Sequence, residues 1–579
     1  MTVLPQIRVH ANLGDLSSDS HDALVVVYSE FADFCTLQNA SISQAIEAVQ
    51  PFAKVDKEFG KSVVLVPSAT VGGGRLILSP MGSLSDDTDD VRKIADAVKA
   101  GVLRATEAGA RRPAICVAQG LPSADEVADA DYSRWVEVAL LAALDASYVT
   151  LVVREHRQNM GATVLEKLES IELVVVDGSV TATELDRAVQ RASAIETGRR
   201  LAVDMGYGDA QRMTPYNCAQ TIQDAVKGVA GVSYEEIKDL DVIKREYPLL
   251  YNSARASFSG KDFVDVVVAS NPEAGSLESA FEKACGREAS TWPCVVKLEY
   301  RSPAPAEVKE HLYLVGKGVT YDTGGITLKI GAAMRGMSRD KLGACGVAGF
   351  VLATGLIQER SVDLSCILAF ERNSIGPNAL LPDEVVVSRA GVRVLINDTD
   401  AEGRLVMTDP VAECRERIVA ARAQGDRKPA AIYTAATLTG HVIRAYGWYG
   451  ATVANGPARR GGFDRRLAVS GLAYGDPFEN SIMRREDYSL VASKTDREDV
   501  YQSNAHPSTQ TDRGHQYPAA FIIRASGLDK HSLGAGQAAI PFVHVDIAGS
   551  AEDGVEPGLG LCAITGSPVA TFAGAFWSK

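Results

Sequence analysis

"NDTDAEGRL", residues 397–405, decides how this chain is read. It follows "GVRVLI" (391–396), an apolar run with the composition of a buried strand, and turns apolar again at Leu405, Val406 and Met407. Between those flanks stand Asp398, Asp400, Glu402 and Arg404. Taken alone, the stretch is explained by a polar turn capping a helix that begins near Ala401, with Glu402 in the first turn where the helix dipole favours a carboxylate. The alternative is that a strand end delivers charge to a working site, and the rest of the chain has to decide.

At 579 residues the chain is too long for one ordinary core, and two domains are expected. Hydrophobic residues at 46% and charged residues at 23% are the proportions of a soluble globular protein. A net charge of −14 argues against nucleic acid as a general partner, because phosphates need basic patches. No apolar run reaches the roughly 18 residues of a membrane helix, so no membrane association is expected. The N-terminal "MTVLPQIRVHANLGDLSSDSHD" lacks a basic start followed by an apolar core, so no secretory signal is expected either. The nine cysteines sit in contexts such as "DLSCILAF" and "PAICVAQG" with no C-x-x-C pair, which suggests reduced core residues of a cytoplasmic protein.

The first part alternates buried-strand patterns with helical ones. "DALVVVYSE" (22–30), "SVVLVP" (62–67), "RLILSP" (75–80), "PAICVAQG" (113–120) and "YVTLVVRE" (148–155) are read as strands. The stretches 90–110 and 132–148 have helical spacing. Residues 1–180 thus form an N-terminal α/β domain, 181–202 a connecting helix, and 203–579 a larger domain. In the larger domain the expected strands are "DVVVAS" (265–270), "HLYLVG" (311–316), "SCILAF" (365–370), "GVRVLI" (391–396), "AAIYTAAT" (430–437) and "FVHVDIAG" (542–549). Continuous apolar strands separated by helices predict a mostly parallel central sheet flanked by helices.

Ligands of such sheets bind beyond the carboxyl ends of the strands. "HLYLVGKGVTYDTGGITLKI" (311–330) leaves its expected strand at Gly316 and offers Lys317, Asp322 and Lys329. "MSRDKLGACGVAGFVLATGL" (337–356) presents Asp340 at the start of a helix rich in small residues. With Asp400, Glu402 and Arg404, one cleft could receive three Asp, one Glu, two Lys and one Arg. Buried carboxylates repel one another, so this set requires strong positive compensation, and two divalent cations with oxygen ligands would supply it. None of the nine histidines falls in an H-E-x-x-H pattern, which excludes a mononuclear zinc protease of that type.

"VGKGVTYDTGGITLK", "MSRDKLGA", "NDTDAEGRL" and "YTAATLTG" resemble, in order and spacing over 203–579, the signature segments of the leucyl aminopeptidase family of dinuclear-metal exopeptidases. The N-terminal domain resembles the family in architecture only. "RGHQYPAAFIIRASGL" (513–528) and "HVDIAGSA" (544–551) point to one subgroup. The resemblance implies a metal-dependent aminopeptidase acting on peptides, assembled as a homohexamer. It makes Asp322 and Glu402 shared ligands of two metals, zinc or manganese, with magnesium or cobalt as alternatives. Asp400 would bind the first metal, and Lys317 and Asp340 would complete the second. The resemblance also makes Lys329 the group that polarises the scissile carbonyl, and Arg404 the holder of a bicarbonate that accepts the proton of the attacking water. Met337, Thr437, Leu438, Thr439 and Gly440 would contact substrate, with an apolar, leucine-like N-terminal residue preferred.

Each residue also has a plain structural reading. Lys317 and Lys329 singly would be surface lysines, Asp340 a helix cap, Met337 a core residue, and 437–440 a strand end and turn. The chain departs from the family at Asp398, where Asn is usual, and at Pro410, which should kink the following helix or end its first segment. "LLPDEVVV" (380–387) lacks the family's Gly, and "PSTQTDRGHQYPAA" (507–520) differs from common members. Two other readings compete. A two-metal phosphoesterase would need a phosphate-binding glycine loop, and "VGKGVT" is not a full P-loop. A non-catalytic scaffold retaining the fold would have no reason to keep seven such residues together.

Overall fold

The computed structural model describes residues 3–578 apart from 18, 36, 38, 39, 119–129, 177–179, 259–275, 277, 278, 280–288 and 553–563. The chain divides into two compact units. One comprises the residues up to Arg200 with Val469–Pro477; the other comprises Leu201–Ala468, Phe478–Glu552 and the residues from Gly566. The helix Ala182–Tyr207 covers the expected connection and continues beyond it.

In the first unit six strands lie in the order Gln6–His10, Ser170–Val175, Pro113–Val117, Ala23–Tyr28, Arg75–Pro80 and Val64–Pro67. All neighbours are parallel except the last pair. Ala23–Tyr28 is buried at every position, as an apolar run covered on both faces must be. The strand expected over "YVTLVVRE" is a misreading, since Leu151–Asn159 is a helix. Its β-branched residues suggested a strand, but Val152 and Val153 are 46% and 40% exposed and do not belong to a core strand. Ser170–Val175, which was not anticipated, fills that place in the sheet and pairs with both Gln6–His10 and Pro113–Val117.

The second unit is built on eight strands in the order Phe478–Ile482, Gly450–Ala454, Phe542–Asp546, Ala430–Ala436, Glu310–Asp322, Val362–Asn373, Cys294–Tyr300 and Val232–Ile237. The four from Phe542–Asp546 to Val362–Asn373 are mutually parallel, and antiparallel strands extend the sheet on either side. Three expectations need correction. The strand begun by "HLYLVG" runs on to Asp322, so Lys317 lies within it rather than beyond it. "GVRVLI" does not belong to this sheet: only Arg393–Leu395 is extended, between Val385–Val387 and Val500–Tyr501 in a separate three-stranded sheet. Arg393 is exposed, and only Val394, Leu395 and Ile396 go into the core. Pro410 does not end its helix, which continues from Glu402 to Ala423. Every residue from Glu402 to Cys414 is buried, and packing against Tyr517–Ala525 and Pro248–Ser253 offsets the lost backbone bond. "DVVVAS" lies outside the described residues.

Alternation along the central strands sends successive side chains to opposite faces. Tyr313, Val315 and Val319 join one core with Leu405, Val406, Val411 and Ile418 of the Glu402–Ala423 helix. The other face receives the helix Leu342–Leu356, whose small residues allow near contact with the sheet. At Gly343 an added Cβ would lie 2.1 Å from the Ala435 carbonyl oxygen. Gly343→Ala should therefore push the helix off the sheet and cost about 1–3 kcal/mol, seen as a lower urea unfolding midpoint. An unchanged midpoint would show that the sheet yields without cost.

Candidate metal and active site

The carboxyl ends of the parallel strands converge on one cavity of about 690 Å³. Lys317, Asp322, Lys329, Met337, Asp340, Asp400, Glu402, Arg404, Thr437, Leu438, Thr439 and Gly440 all line it. Thus every residue singled out in the sequence reaches the same space. Asp322 ends its strand, Thr437 and Leu438 follow Ala430–Ala436, and Asp340 precedes the helix Leu342–Leu356. Glu402 opens the helix Glu402–Ala423, and Arg404 lies in its first turn.

Charge alternates within the cavity. Lys317 Nζ lies 2.7 Å from Asp340 Oδ2 and 2.8 Å from Glu402 Oε1. Lys329 Nζ lies 2.8 Å from Asp322 Oδ2 and 2.5 Å from Asp400 Oδ1. Each ammonium therefore spans two carboxylates. Asp322, Asp340 and Glu402 each bring a carboxylate oxygen within 4.8 Å of the others, and all three are buried. Asp340 Oδ2, Asp400 Oδ1 and Glu402 Oε1 are buried oxygen atoms, and each is faced by one of these ammonium groups. Buried carboxylate oxygens gathered this closely are a donor set suited to hard divalent cations.

The electrostatics agree. Burial pushes the Asp340 carboxyl well above the usual carboxylate range and raises Glu402 as well. Asp400 is raised to about 7 by burial and by the neighbouring Asp322 charge. Burial works against the charge on both lysines, but the facing carboxylates outweigh it and hold Lys317 and Lys329 above their ordinary pKa. In the protein by itself Lys317 is therefore an ammonium. The neutral amine that a metal ligand requires could exist only with cations supplying the compensation.

Residues that the sequence did not single out hold the site in shape. Asp322 Oδ1 accepts from the Gly324 N–H and from Asn373 Nδ2, both at 2.8 Å, so Oδ2 is the oxygen it turns toward the cluster. Gly324 and Gly325 have φ of +84° and +63°, and a Cβ on Gly324 would lie 2.4 Å from the Thr327 carbonyl oxygen. That turn brings Lys329 back over the strand end. Thr399 ties it to the 397–401 stretch: its Oγ1 donates to Gly324 O at 2.7 Å and accepts from Thr327 N at 2.8 Å. Asp546, raised to about 6 by burial, accepts from Leu438 N and Thr439 Oγ1 and so fixes the 437–439 segment. Thr437 Oγ1 donates to Asp340 Oδ1 at 2.9 Å. Arg404 is buried, with its guanidinium 4.6 Å from the Tyr517 ring centroid; Nη1 donates to Gln502 O at 2.9 Å, while Nε has no partner among the described residues. Arg335, Arg339, Ile443, Trp448, Ala548 and Glu552 also line the cavity, and the sequence analysis gave none of them a role.

Residues 262–573 match the catalytic domain of the cytosol aminopeptidase family. A putative aminopeptidase of Caenorhabditis elegans is 33% identical over 545 residues, 93% of each chain. A probable cytosol aminopeptidase of Tropheryma whipplei is 31% identical over 62% of this chain and 66% of its own length. Among solved structures, a mutant of tomato leucine aminopeptidase superposes with a TM-score of 0.71 at 19% identity, covering 99% of this chain and 96% of that one. The bottromycin maturation enzyme BotP in complex with Mn gives 0.70 at 19% identity, over 96% and 98%. These two show a shared fold. No single helix among the described residues is long and apolar enough to cross a membrane.

Mn²⁺ affinity should rise with pH. With the Asp400 pKa at about 7, a cation must displace the Asp400 proton below that value and not above it, in addition to the protons held by Lys317 and Asp340. The Asp400 proton by itself weakens binding about tenfold between pH 8 and pH 6, so the weakening measured by calorimetric titration at the two pH values should be at least that. Equal affinities would take Asp400 out of the cation site. Asp398→Asn should keep most of the activity, since Asp398 Oδ1 accepts from Asp400 N at 2.9 Å and an amide oxygen can do the same. Inactivation by that change, in steady-state assays, would reveal a direct role for the charge.

Proposed function

The chain belongs to the cytosol aminopeptidase family and is an aminopeptidase, a hydrolase; we propose that it releases apolar, leucine-like N-terminal residues with two divalent cations in the cavity described. One observation carries this reading: Asp322, Asp340 and Glu402 converge, buried, with carboxylate oxygens within 4.8 Å of one another and two lysines between them and Asp400.

Asp322 and Glu402 would be shared by the two cations, with Asp400 on the first and Lys317 and Asp340 on the second. Zinc and manganese suit the set, with magnesium or cobalt as alternatives, and the Mn-bound BotP favours manganese. When bound, the pair would anchor the substrate's free amino group and lower the pKa of the attacking water. Lys329, held protonated by Asp322 and Asp400, would donate to the scissile carbonyl oxygen as negative charge grows there. Arg404 keeps a buried Nε–H that has no partner among the described residues, which fits a small planar anion; bicarbonate there would supply a base for the water's proton. Thr437, Leu438, Thr439 and Gly440 would align the peptide backbone, and Met337 would face its first side chain. Support for an apolar preference comes from Met337, Leu438, Ile443, Trp448 and Ala548 on the wall, where Arg339 is neutralised by Glu552 at 2.7 Å. A homohexamer in the cytoplasm completes the proposal on family resemblance, and light scattering of the purified protein tests the assembly.

Metal analysis followed by assay on a leucyl chromogenic amide tests the core of the reading. Lys329→Ala should leave both cations bound and lower kcat by about 10²–10³, the usual cost of one oxyanion-stabilising donor. Lys317→Ala should instead weaken cation binding, with activity partly recovered in excess Mn²⁺. Identical metal content and kinetics for the two variants would refute the division of roles.

A further inference from the structure

Gln502 is fully buried and directly follows the Val500–Tyr501 strand. It is about a hundred positions from the segment it touches, and no motif marks it. Its side-chain Oε1 accepts from the backbone N–H groups of Asn397 and Asp398, each at 3.0 Å. Its Nε2 donates to the carbonyl oxygens of Asp398 at 2.6 Å and Ala401 at 3.0 Å. Two acceptor and two donor places are all that a primary amide has, and every one is directed at the 397–401 turn. The backbone of Gln502 serves the same segment: its N–H donates to Leu395 O at 3.0 Å, and its carbonyl accepts from Arg404 Nη1 at 2.9 Å.

The turn needs this. Residues 397–401 lie between the Arg393–Leu395 strand and the Glu402–Ala423 helix, so neither ladder satisfies their backbone groups. Buried backbone groups left unpaired are costly, and a turn that shifts to find other partners carries Asp400 and Glu402 with it. Ligand sets lose function when displaced by even about 0.5 Å. Asparagine would be a methylene too short to reach both sides of the turn, and a carboxylate would face two carbonyl oxygens where the amide donates.

We propose that Gln502 is a positioning residue that sets the 397–402 turn for cation binding and hangs Arg404 beside it, an inference that rests on the two-cation reading above. Outer residues that orient metal ligands typically control affinity by about 10–100-fold. Removing the amide should weaken cation binding by that factor while the metal-free protein stays folded.

The test uses the full chain with two variants, Gln502→Leu, which removes all four side-chain bonds, and Gln502→Glu, which keeps the size and the acceptor. Mn²⁺ dissociation constants and stoichiometry come from calorimetry and electron paramagnetic resonance, and thermal unfolding is recorded without metal. The expected result is a dissociation constant raised about 10–100-fold, a kcat loss partly reversed by excess Mn²⁺, little change in KM, and a metal-free protein that still unfolds cooperatively, at a midpoint lowered by the backbone groups left unpaired. Wild-type Mn²⁺ affinity in both variants would overturn the proposal. So would failure of Gln502→Glu to fold, or a lowered metal-free midpoint with unaltered affinity, since either makes the residue a structural support only. A wild-type chain that binds no Mn²⁺ would instead remove the two-cation reading itself.

Discussion

Four carboxylates share one cavity, three of them buried, and the rest of the second unit is arranged around making that tolerable. At an effective dielectric near 20, two like charges about 4 Å apart repel by roughly 4 kcal/mol. Lys317 and Lys329 reduce this by each standing between two acids, Asp340 with Glu402 and Asp322 with Asp400. Two ammonium groups do not balance four carboxylates, and protons make up part of the difference, as the raised pKa values of Asp340, Glu402 and Asp400 record. The cluster is therefore under-compensated in the protein alone. A site in that condition exchanges protons for cations readily, whereas one fully neutralised by side chains would not.

Placing the cluster is the work of the sheet. Parallel strands deliver Asp322, Asn373, Thr437 and Asp546 to one edge, and small residues let the helix Leu342–Leu356 come close enough to bring Asp340 to the same edge. The loops beyond the edge are not left to themselves. Thr399 joins the glycine turn to the 397–401 turn, Asn373 bonds to both Asp322 and Thr399, and Gln502 holds the far side. Each contact is between a side chain and a backbone group or ligand oxygen, so ligand direction is set by hydrogen-bond geometry as well as by packing.

The site was more legible in the sequence than the fold that carries it. Charged residues in apolar surroundings at Lys317, Asp322, Asp400 and Glu402 stand out because burying them needs a reason, and the family segments gave that reason a name. Strand ends were less visible. "HLYLVG" seemed to finish at Gly316 because a lysine in a core strand is rare, yet Lys317 continues the strand and is buried because two carboxylates face it. "YVTLVVRE" and "GVRVLI" were misplaced because short β-branched runs look alike whether they join a central sheet, a side sheet or a surface helix, and only long-range pairing separates them. Asn373 and Gln502 gave no signal, and Asp546 lies inside the family segment "HVDIAGSA" without being singled out there. Their roles lie in contacts 26 to 108 residues away in sequence.

Asp398 shows what the support around the ligands leaves free to vary. The family's usual Asn and this chain's Asp present the same oxygen to the Asp400 N–H, so the turn has one shape with either. What differs is a unit of negative charge lining the cavity. Because Gln502 and Thr399 also hold this backbone, the added charge would change how strongly the proposed cations are held more than the shape of the turn. Geometry and charge are thus set by different residues here: amides and hydroxyls far apart in sequence determine the first, and the acids of the turn determine the second.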